Sequence, residues 1–404
     1  MPLAVNQLPM IVIGFTADIT IGFLSAQCVE LSKRCRMAVL SSPGPNLAKL
    51  GVENKIETLA VQMDREISPI HDLRALLQLF LLFRRVQPSV IDFSTPKAGL
   101  LGMLAGWLAG VPCRVYTLRG LRLETAKGWK RTVLMGTEWI ACKCAHRVIC
   151  VSASLRQRAI DLRLVEATKA LVVGSGSSGV LVEKYLPTSE NVERSRKLYS
   201  GLDLPENVPV IGFVGRFTRD KGIPELIDAF DELRLEHPAL RLLLVGDFED
   251  GDPVPESVQA RIESDPFIVR TGFVSDTSPY YHLMDLLVLP TYREGFPNVP
   301  LQAQVAAKPV VTTRVAGAVD SVQDGKTGLM VPVGDASALA HAISSLLCDA
   351  TKRKEMGRSG QEWVLREFTL SRVIDAQVRV YQSLISEKLG TGVRQSQWPV
   401  SPGQ

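Results

Sequence analysis

The sequence predicts an α/β protein of two parallel-sheet domains facing across a cleft, each sheet covered by helices on both faces. Three observations predict it. Short aliphatic and β-branched runs alternate with helix-period stretches along almost the whole chain, which is how parallel sheets with crossover helices are written. The length of 404 residues is more than one compact core holds. A polar stretch, PTSENVERSRKLYSGLDLPEN (187–207), splits the alternation into two sets and is expected to be a linker.

The first set opens with MIVIGF (10–15), and MAVLSS (37–42), SVIDFS (89–94), CRVYTL (113–118), RVICVS (147–152) and ALVVGS (170–175) follow as strands. Their alternation with helical patterns is the signature of a parallel sheet with helices on both faces. Helices are expected at 71–86, 98–110, 128–145 and 153–163. HDLRALLQLFLLFRR (71–85) predicts a buried helix, with Arg84 and Arg85 suited to its C-terminal dipole. AGLLGMLAGWLAGVPC (98–113) is the nearest approach to a membrane span. It falls short of about 20 residues and is stopped by Pro112, so a helix buried in an α/β layer is expected. GSGSSG (174–179) closes the set and is expected to be a flexible hinge.

The second set has strands VIGFVG (210–215), RLLLVG (241–246), IVRTGF (268–273), LLVLPT (286–291), PVVTTR (309–314) and GLMVPV (328–333). Helices are expected at 222–236, 254–263, 277–284, 298–307 and 335–349, then at 352–366 and 370–388. These elements define two Rossmann-like domains, 1–185 and 186–369, with helix 370–388 packing back on the first. A Gly/Pro/Ser-rich tail, 390–404, is expected to be disordered. Ligands of open parallel sheets sit beyond the carboxyl ends of the strands, so the residues just after each strand are the candidates.

Composition is that of a globular enzyme, 46% hydrophobic and 22% charged. Charge is unevenly spread: residues 1–185 hold 23 Lys and Arg against 13 Asp and Glu, and the remainder 23 against 29. A basic half implies an anionic partner such as a diphosphate or a membrane surface. The seven cysteines are odd in number and lack CxxC spacing. With no signal peptide evident, they point to reduced thiols in a cytoplasm.

After strand 210–215 comes GRFTRDKG, in which Arg216 and Lys221 place two cations near a helix start. That is the chemistry of a diphosphate site, though a solvated basic loop fits the same residues. After strand 286–291 comes YREGFPNVPL. Gly295 permits close backbone approach, the backbone of 296–299 could hold phosphate oxygens, and Glu294 could accept from sugar hydroxyls. Gln302 stands eight residues beyond Glu294, where a second carboxylate would close the site. No histidine follows a strand beside a Ser or Cys, which argues against hydrolase chemistry. Neither GxxxxGK[ST] nor a GxGxxG after the first strand is present, which argues against a P-loop kinase or a dehydrogenase. GDFEDGD (246–252) fits a surface loop better than a metal site.

VGRFTRDKGIPELIDAF, TGFVSDTSPYYHLMDLLVLPTYREGFPNVPLQAQ and DGKTGLMVPVGD together resemble the family-four retaining glycosyltransferases, which have the GT-B fold and need no metal. STPKAGLLGMLAGWLAGVPCRVYTLRGLRLETAKGWKR and VICVSASLRQRAIDLRLV resemble the capsular and O-antigen polysaccharide branch. The resemblance spans about residues 8–388. It implies that Arg216, Lys221 and Glu294 carry the chemistry. It implies further that Gly215, Gly272, Phe273, Val274, Gly295, Phe296, Pro297, Asn298 and Gln302 bind a nucleotide-sugar donor. That donor would be UDP-linked, a hexose or an N-acetylhexosamine. Thr95, Lys97, Arg119 and Arg122 lie on the acceptor side it implies. The acceptor would be a lipid-diphosphate-linked saccharide, with no cofactor and no nucleic acid involved. In a retaining transfer the leaving phosphate takes the acceptor's proton, which fits the absence of a dedicated base.

The chain departs from the family pattern at five places, one of them the Arg119 position, near which broader family members often have a His. It has Gln302 where many relatives have Glu, and Ser94 where many have His. Gly179-Val180-Leu181 replaces Asn-Gly-Val-Asp, and TADITIGF (16–23) replaces a Gly-Gly loop. A non-catalytic nucleotide-sugar-binding paralogue, acting as a partner subunit, is the alternative these departures raise; an epimerase would need acid–base groups not found here. AKGWKRTVLMGTEWIACKCAHR (126–147) carries five cations and two tryptophans on a helical stretch. It suits peripheral, salt-sensitive attachment to an anionic inner leaflet, and a core face is the other reading of its apolar side.

Overall fold

A computed structural model describes residues 9–64, 66, 68–199, 201–202, 204–205 and 207–390. The tail expected from 390 to 404 lies outside the described residues apart from Gly390. Packing divides the chain into two units. One runs to Gly179 and resumes at Leu370; the other is Val180–Thr369.

The first unit is built on a seven-stranded sheet. Its strands are β1 (Ile11–Gly14), β2 (Met37–Ser41), β3 (Glu57–Ala60), β4 (Val90–Ser94), β5 (Cys113–Leu118), β6 (Arg147–Cys150) and β7 (Ala170–Val172). They run in the order β3-β2-β1-β4-β5-β6-β7, all pairings parallel. β1, β2 and β4 are buried at every residue, so their apolar residues stand at consecutive positions, although β4 also buries Asp92 and Ser94. β3 is absent from the sequence expectation. It lies at the sheet's edge, its four residues half-buried or exposed, so ETLA has no hydrophobic run to announce it.

Three helices start with Pro in the first turn: Pro45–Asn54, Pro69–Val86 and Pro96–Leu108. Proline fits there because the first-turn N–H groups have no intrahelical acceptor. The helix Pro96–Leu108 settles onto β4 and β5 through a glycine stripe. A Cβ on Gly99 would stand 2.2 Å from Tyr116, one on Gly102 2.2 Å from Phe93, and one on Gly106 2.2 Å from Ile91. The small-residue segment is thus a buried layer helix. Helix Pro69–Val86 departs from expectation. It buries Ala75, Leu79 and Phe83, but leaves Ile70, Leu73, Leu77 and Leu81 more than half exposed.

The last helix, Leu370–Leu389, belongs to the first unit. Its Tyr381 hydroxyl donates to Asp92 Oδ2 at 2.5 Å, while Thr117 Oγ1 donates to Asp92 Oδ1 at 2.6 Å. Burial pushes the Asp92 carboxyl up, although these donors pull it down. Arg34 pairs with Asp375 at 2.5 Å and fastens the same helix to Asp18–Ser32.

The second unit holds β8 (Val210–Val214), β9 (Arg241–Val245), β10 (Ile268–Arg270), β11 (Leu286–Leu289), β12 (Val310–Thr313) and β13 (Gly328–Val331). The order is β10-β9-β8-β11-β12-β13, again parallel throughout. Val180, Val182 and Tyr185 are buried in one of its core clusters. The stretch expected to be a linker contains a helix, Ser189–Tyr199. Its buried positions are Asn191 and Ser195 rather than aliphatics, held by bonds from Asn191 Nδ2 to the Glu183 and Leu186 carbonyls at 3.0 and 2.8 Å. That polar anchoring hid it from hydrophobic periodicity.

Candidate active site

In the second unit β8 and β11 are neighbours, yet β8 leads to β9 on one side and β11 to β12 on the other. The reversal opens a crevice between the loops that leave these two strands, the place where open parallel sheets take ligands. Both loops carry sequence-predicted residues.

The loop after β8 first runs extended beside the loop after β9. Gly215 N–H donates to the Val245 carbonyl at 2.9 Å, and Phe217 N–H to that of Asp247 at 2.8 Å. Phe217 is fully buried, which turns the preceding Arg216 outward, where it pairs with Glu249. A 3-10 turn, Arg219–Lys221, follows. Gly222 closes it at φ 71°, and a Cβ there would stand 2.0 Å from the Pro290 carbonyl oxygen. Only glycine allows the two loops this approach.

They are then laced together. Tyr292 N–H and Thr291 Oγ1 donate to the Asp220 carbonyl at 2.8 and 3.1 Å. Arg293 pairs with Asp220 at 2.8 Å and Lys221 with Glu294 at 2.5 Å. Burial alone would raise the Asp220 carboxyl. The Thr218 hydroxyl, Lys221 and Arg293 outweigh it and hold the group below its ordinary value. Lys221 and Glu294 keep only 17% and 13% of their side chains exposed, so their pair sits at the mouth of the crevice in a partly dry setting.

The structure thus brings Arg216, Lys221, Glu294 and Gly295 to one sheet edge. Helix Asn298–Val305 starts from the same loop with Pro297 as its N-cap. Pro297 has no N–H, so it cannot join the backbone donors expected over 296–299. The Phe296 ring packs on Phe368 at 5.5 Å between centroids, leaving its backbone alone to face a ligand. Gln302 Oε1 accepts from the buried Tyr281 hydroxyl at 2.6 Å. Gly272 bridges to Gly246 at the same edge. Beyond it Phe273 is 77% exposed, a free aromatic face, while Val274 packs into the core. Asp220 and Arg293 escaped the sequence reading. The signal was present: Asp-Lys at 220–221 and Arg-Glu at 293–294 are charge-complementary dipeptides in the two loops.

The four acceptor-side residues lie in the first unit, after β4 and β5. Thr95 has φ 74° and shares a 2.7 Å hydroxyl bond with Thr16 beyond β1. Lys97 pairs with Asp72 at 2.7 Å. Arg119 donates to Ser178 Oγ at 2.7 Å, and burial pulls its guanidinium below the ordinary value against the opposing field of Asp92. Arg122 is exposed at the start of a 3-10 turn, Arg122–Glu124, whose Leu123 is buried. None of the four lines the open cavity of about 490 Å³ beyond β1–β3, whose walls include Asp18, Ser42, Gln62 and Asp64. Among the described residues no group of three His, Cys, Asp or Glu is arranged to hold a metal ion.

Residues 208–349 match the family of group 1 glycosyl transferases, and residues 24–176 match the glycosyl transferase 4-like domain. The capsular polysaccharide biosynthesis glycosyltransferase CapM of Staphylococcus aureus is 37% identical over 89% of this chain and 92% of its own. The chain belongs to this glycosyltransferase family. A second relative of the glycosyltransferase is the Escherichia coli UDP-Gal:alpha-D-GlcNAc-diphosphoundecaprenol alpha-1,3-galactosyltransferase. It is 25% identical over 80% of this chain and 83% of its own. Anabaena Alr3699/HepE, solved with UDP, shares the GT-B fold at a TM-score of 0.76 and 20% identity, over 93% of this chain and all of its own.

Proposed function

We propose that this glycosyltransferase moves a hexose or N-acetylhexosamine, with retention, from a UDP-linked donor to a lipid-diphosphate-linked saccharide. The product belongs to capsule, exopolysaccharide or O-antigen synthesis, the reaction needs no metal, and it takes place at the cytoplasmic face of the inner membrane. The observation that carries the reading is the Lys221–Glu294 pair at the strand switch point, with Arg216 on the same loop. The name of the E. coli relative supports a UDP donor and a diphosphate-lipid acceptor. The CapM name supports the capsular setting.

The mechanism follows from exchange of partners. The Lys221 ammonium is neutralised by one carboxylate, that of Glu294. A diphosphate brings more negative charge to the same spot and competes for the ammonium, with Arg216 released from Glu249 as a second cation. Glu294, freed from Lys221, then accepts hydroxyl donors of the donor sugar. As the bond from the anomeric carbon to the diphosphate breaks, charge grows on the leaving oxygen, where fixed cations stabilise it most. The departing phosphate oxygen accepts the proton of the attacking hydroxyl on the same face, so no protein base is required.

Titration of UDP-, GDP- and dTDP-sugars by calorimetry, with donor hydrolysis as a second readout, tests this. UDP-sugar binding with slow hydrolysis is the expected result. Binding without any turnover would favour the non-catalytic partner subunit, and selectivity for GDP or dTDP would overturn the donor assignment.

A further inference from the structure

Helices Pro69–Val86, Pro96–Leu108 and Gly128–Cys144 pack side by side, with the middle one touching both others and seated on β4 and β5. Their outer surface carries exposed large apolar side chains on all three helices, interspersed with polar ones. The stripe Ile70, Leu73, Leu77, Leu81 recurs at spacings of three and four, so it forms one line along the first helix. Trp107 and Leu108 are 56% and 51% exposed on the second. Trp129, Val133 and Ile140 form a line on the third, with Trp139 alongside. Scattered exposed leucines are normal, whereas a continuous patch of this kind marks an interaction site.

Charge narrows the partner. The exposed charged side chains on the three helices are Arg74, Arg84, Arg85, Lys130, Arg131 and Lys143, all cationic, of which Lys143 is paired with the nearby Glu166 at 2.7 Å. The two carboxylates there are both withdrawn: Asp72 is turned to Lys97 at 2.7 Å, and Glu138 is buried beneath the Tyr116 hydroxyl at 2.6 Å. Exposed tryptophans beside lysines and arginines, around aliphatic side chains, match the interfacial zone of a bilayer, with aromatic rings at headgroup depth and cations against anionic lipid. No helix among the described residues is long and apolar enough to cross.

We propose that this three-helix face is a docking surface for an anionic lipid bilayer, with the Ile70–Leu81 stripe as its inserted centre. This deepens the reading above, because an enzyme acting on a lipid-linked acceptor gains from being held at the bilayer. It also places the contact largely on a helix that the sequence pattern assigned to the interior.

The test is flotation of the full chain with vesicles of phosphatidylglycerol and phosphatidylcholine, against vesicles of phosphatidylcholine alone. The triple variant Leu73→Gln, Leu77→Gln, Leu81→Gln and the double variant Arg84→Ser, Arg85→Ser are compared with wild type. All five positions are exposed, and circular dichroism checks that the variants fold. Wild type should float with the anionic vesicles at low salt, and the triple variant should bind at least about tenfold more weakly. The double variant should lose preference for anionic lipid and show a shallower salt dependence. Equal binding by wild type and triple variant, or no binding by wild type, overturns the proposal. So does a wild-type dimer in sedimentation that the triple variant abolishes without any vesicle binding, which would assign the face to a second copy. UDP titration of the same samples keeps the outcomes apart, since lost flotation with intact UDP binding removes the docking surface and leaves the donor site standing.

Discussion

At the scale of single residues, the site rests on two neighbouring ion pairs that span two loops. Removing the Lys221 ammonium takes away the cation nearest the expected leaving oxygen. Lys221→Ala should therefore lower kcat by about a hundredfold or more, read in a donor-hydrolysis or transfer assay, with circular dichroism to check that the variant folds. Gln302 makes a subtler prediction. A neutral hydrogen bond contributes about 0.5–1.5 kcal/mol and a charged one about 1.5–3. Gln302→Glu thus gains at most about 1 kcal/mol, since a carboxylate would also repel a bound diphosphate. Donor affinity should rise no more than about fivefold by calorimetry. A dead wild type revived by this change would contradict that. Lys221, Glu294 and Arg216 were legible because a charged residue just past a buried strand has few structural uses. Asp220 and Arg293 were not, because their role exists only once two segments far apart in sequence lie side by side.

At the scale of elements, the buried strands were legible and the amphipathic boundaries were not. IVIG and LLLV are apolar on both faces, which leaves no ambiguity about burial. PIHDLRALLQLFLLFRRV is apolar almost all round, so its composition does not say which side meets the sheet; the packing of Ala75, Leu79 and Phe83 decides. The neighbouring helix Gly128–Cys144 carries a titration worth measuring. Burial raises the Glu138 carboxyl from 4.5 to about 7, with the Tyr116 hydroxyl opposing. A raised acid is held protonated by the fold, so its contribution is whole below about pH 4.5 and is lost as pH rises through about 7. Glu138→Gln keeps an acceptor for Tyr116 and cannot ionise. It should match wild type at pH 5 and be more stable at pH 8 by on the order of 3 kcal/mol, measured by urea unfolding at both pH values.

At the scale of the whole molecule, the chain leaves the first unit at Gly179 and comes back to it at Leu370. The return is not decorative. Tyr381, Leu384, Ile385 and Ile374 are fully or almost fully buried, and Asp92 at the centre of the sheet takes bonds from Tyr381 and Gln377. A fragment ending at Gly179 should leave that carboxyl short of partners and that apolar surface wet. By calorimetry it should show a broad, weak transition. A chain in which a Gly/Ser linker joins Gly179 directly to Leu370 should melt cooperatively. The returning helix was legible as a helix from its periodicity.

That discontinuity sets an order of events during synthesis. The segment from Val180 to Thr369 has all its sequence available while the polypeptide is still emerging from the ribosome, and it can close on its own. The opening portion must wait, with the seat for helix Leu370–Leu389 uncovered, until that helix has been made. The part of the protein begun first is therefore the part finished last. A stop codon between Thr369 and Leu389 would therefore injure the first unit, although it cuts the chain far from that unit's strands.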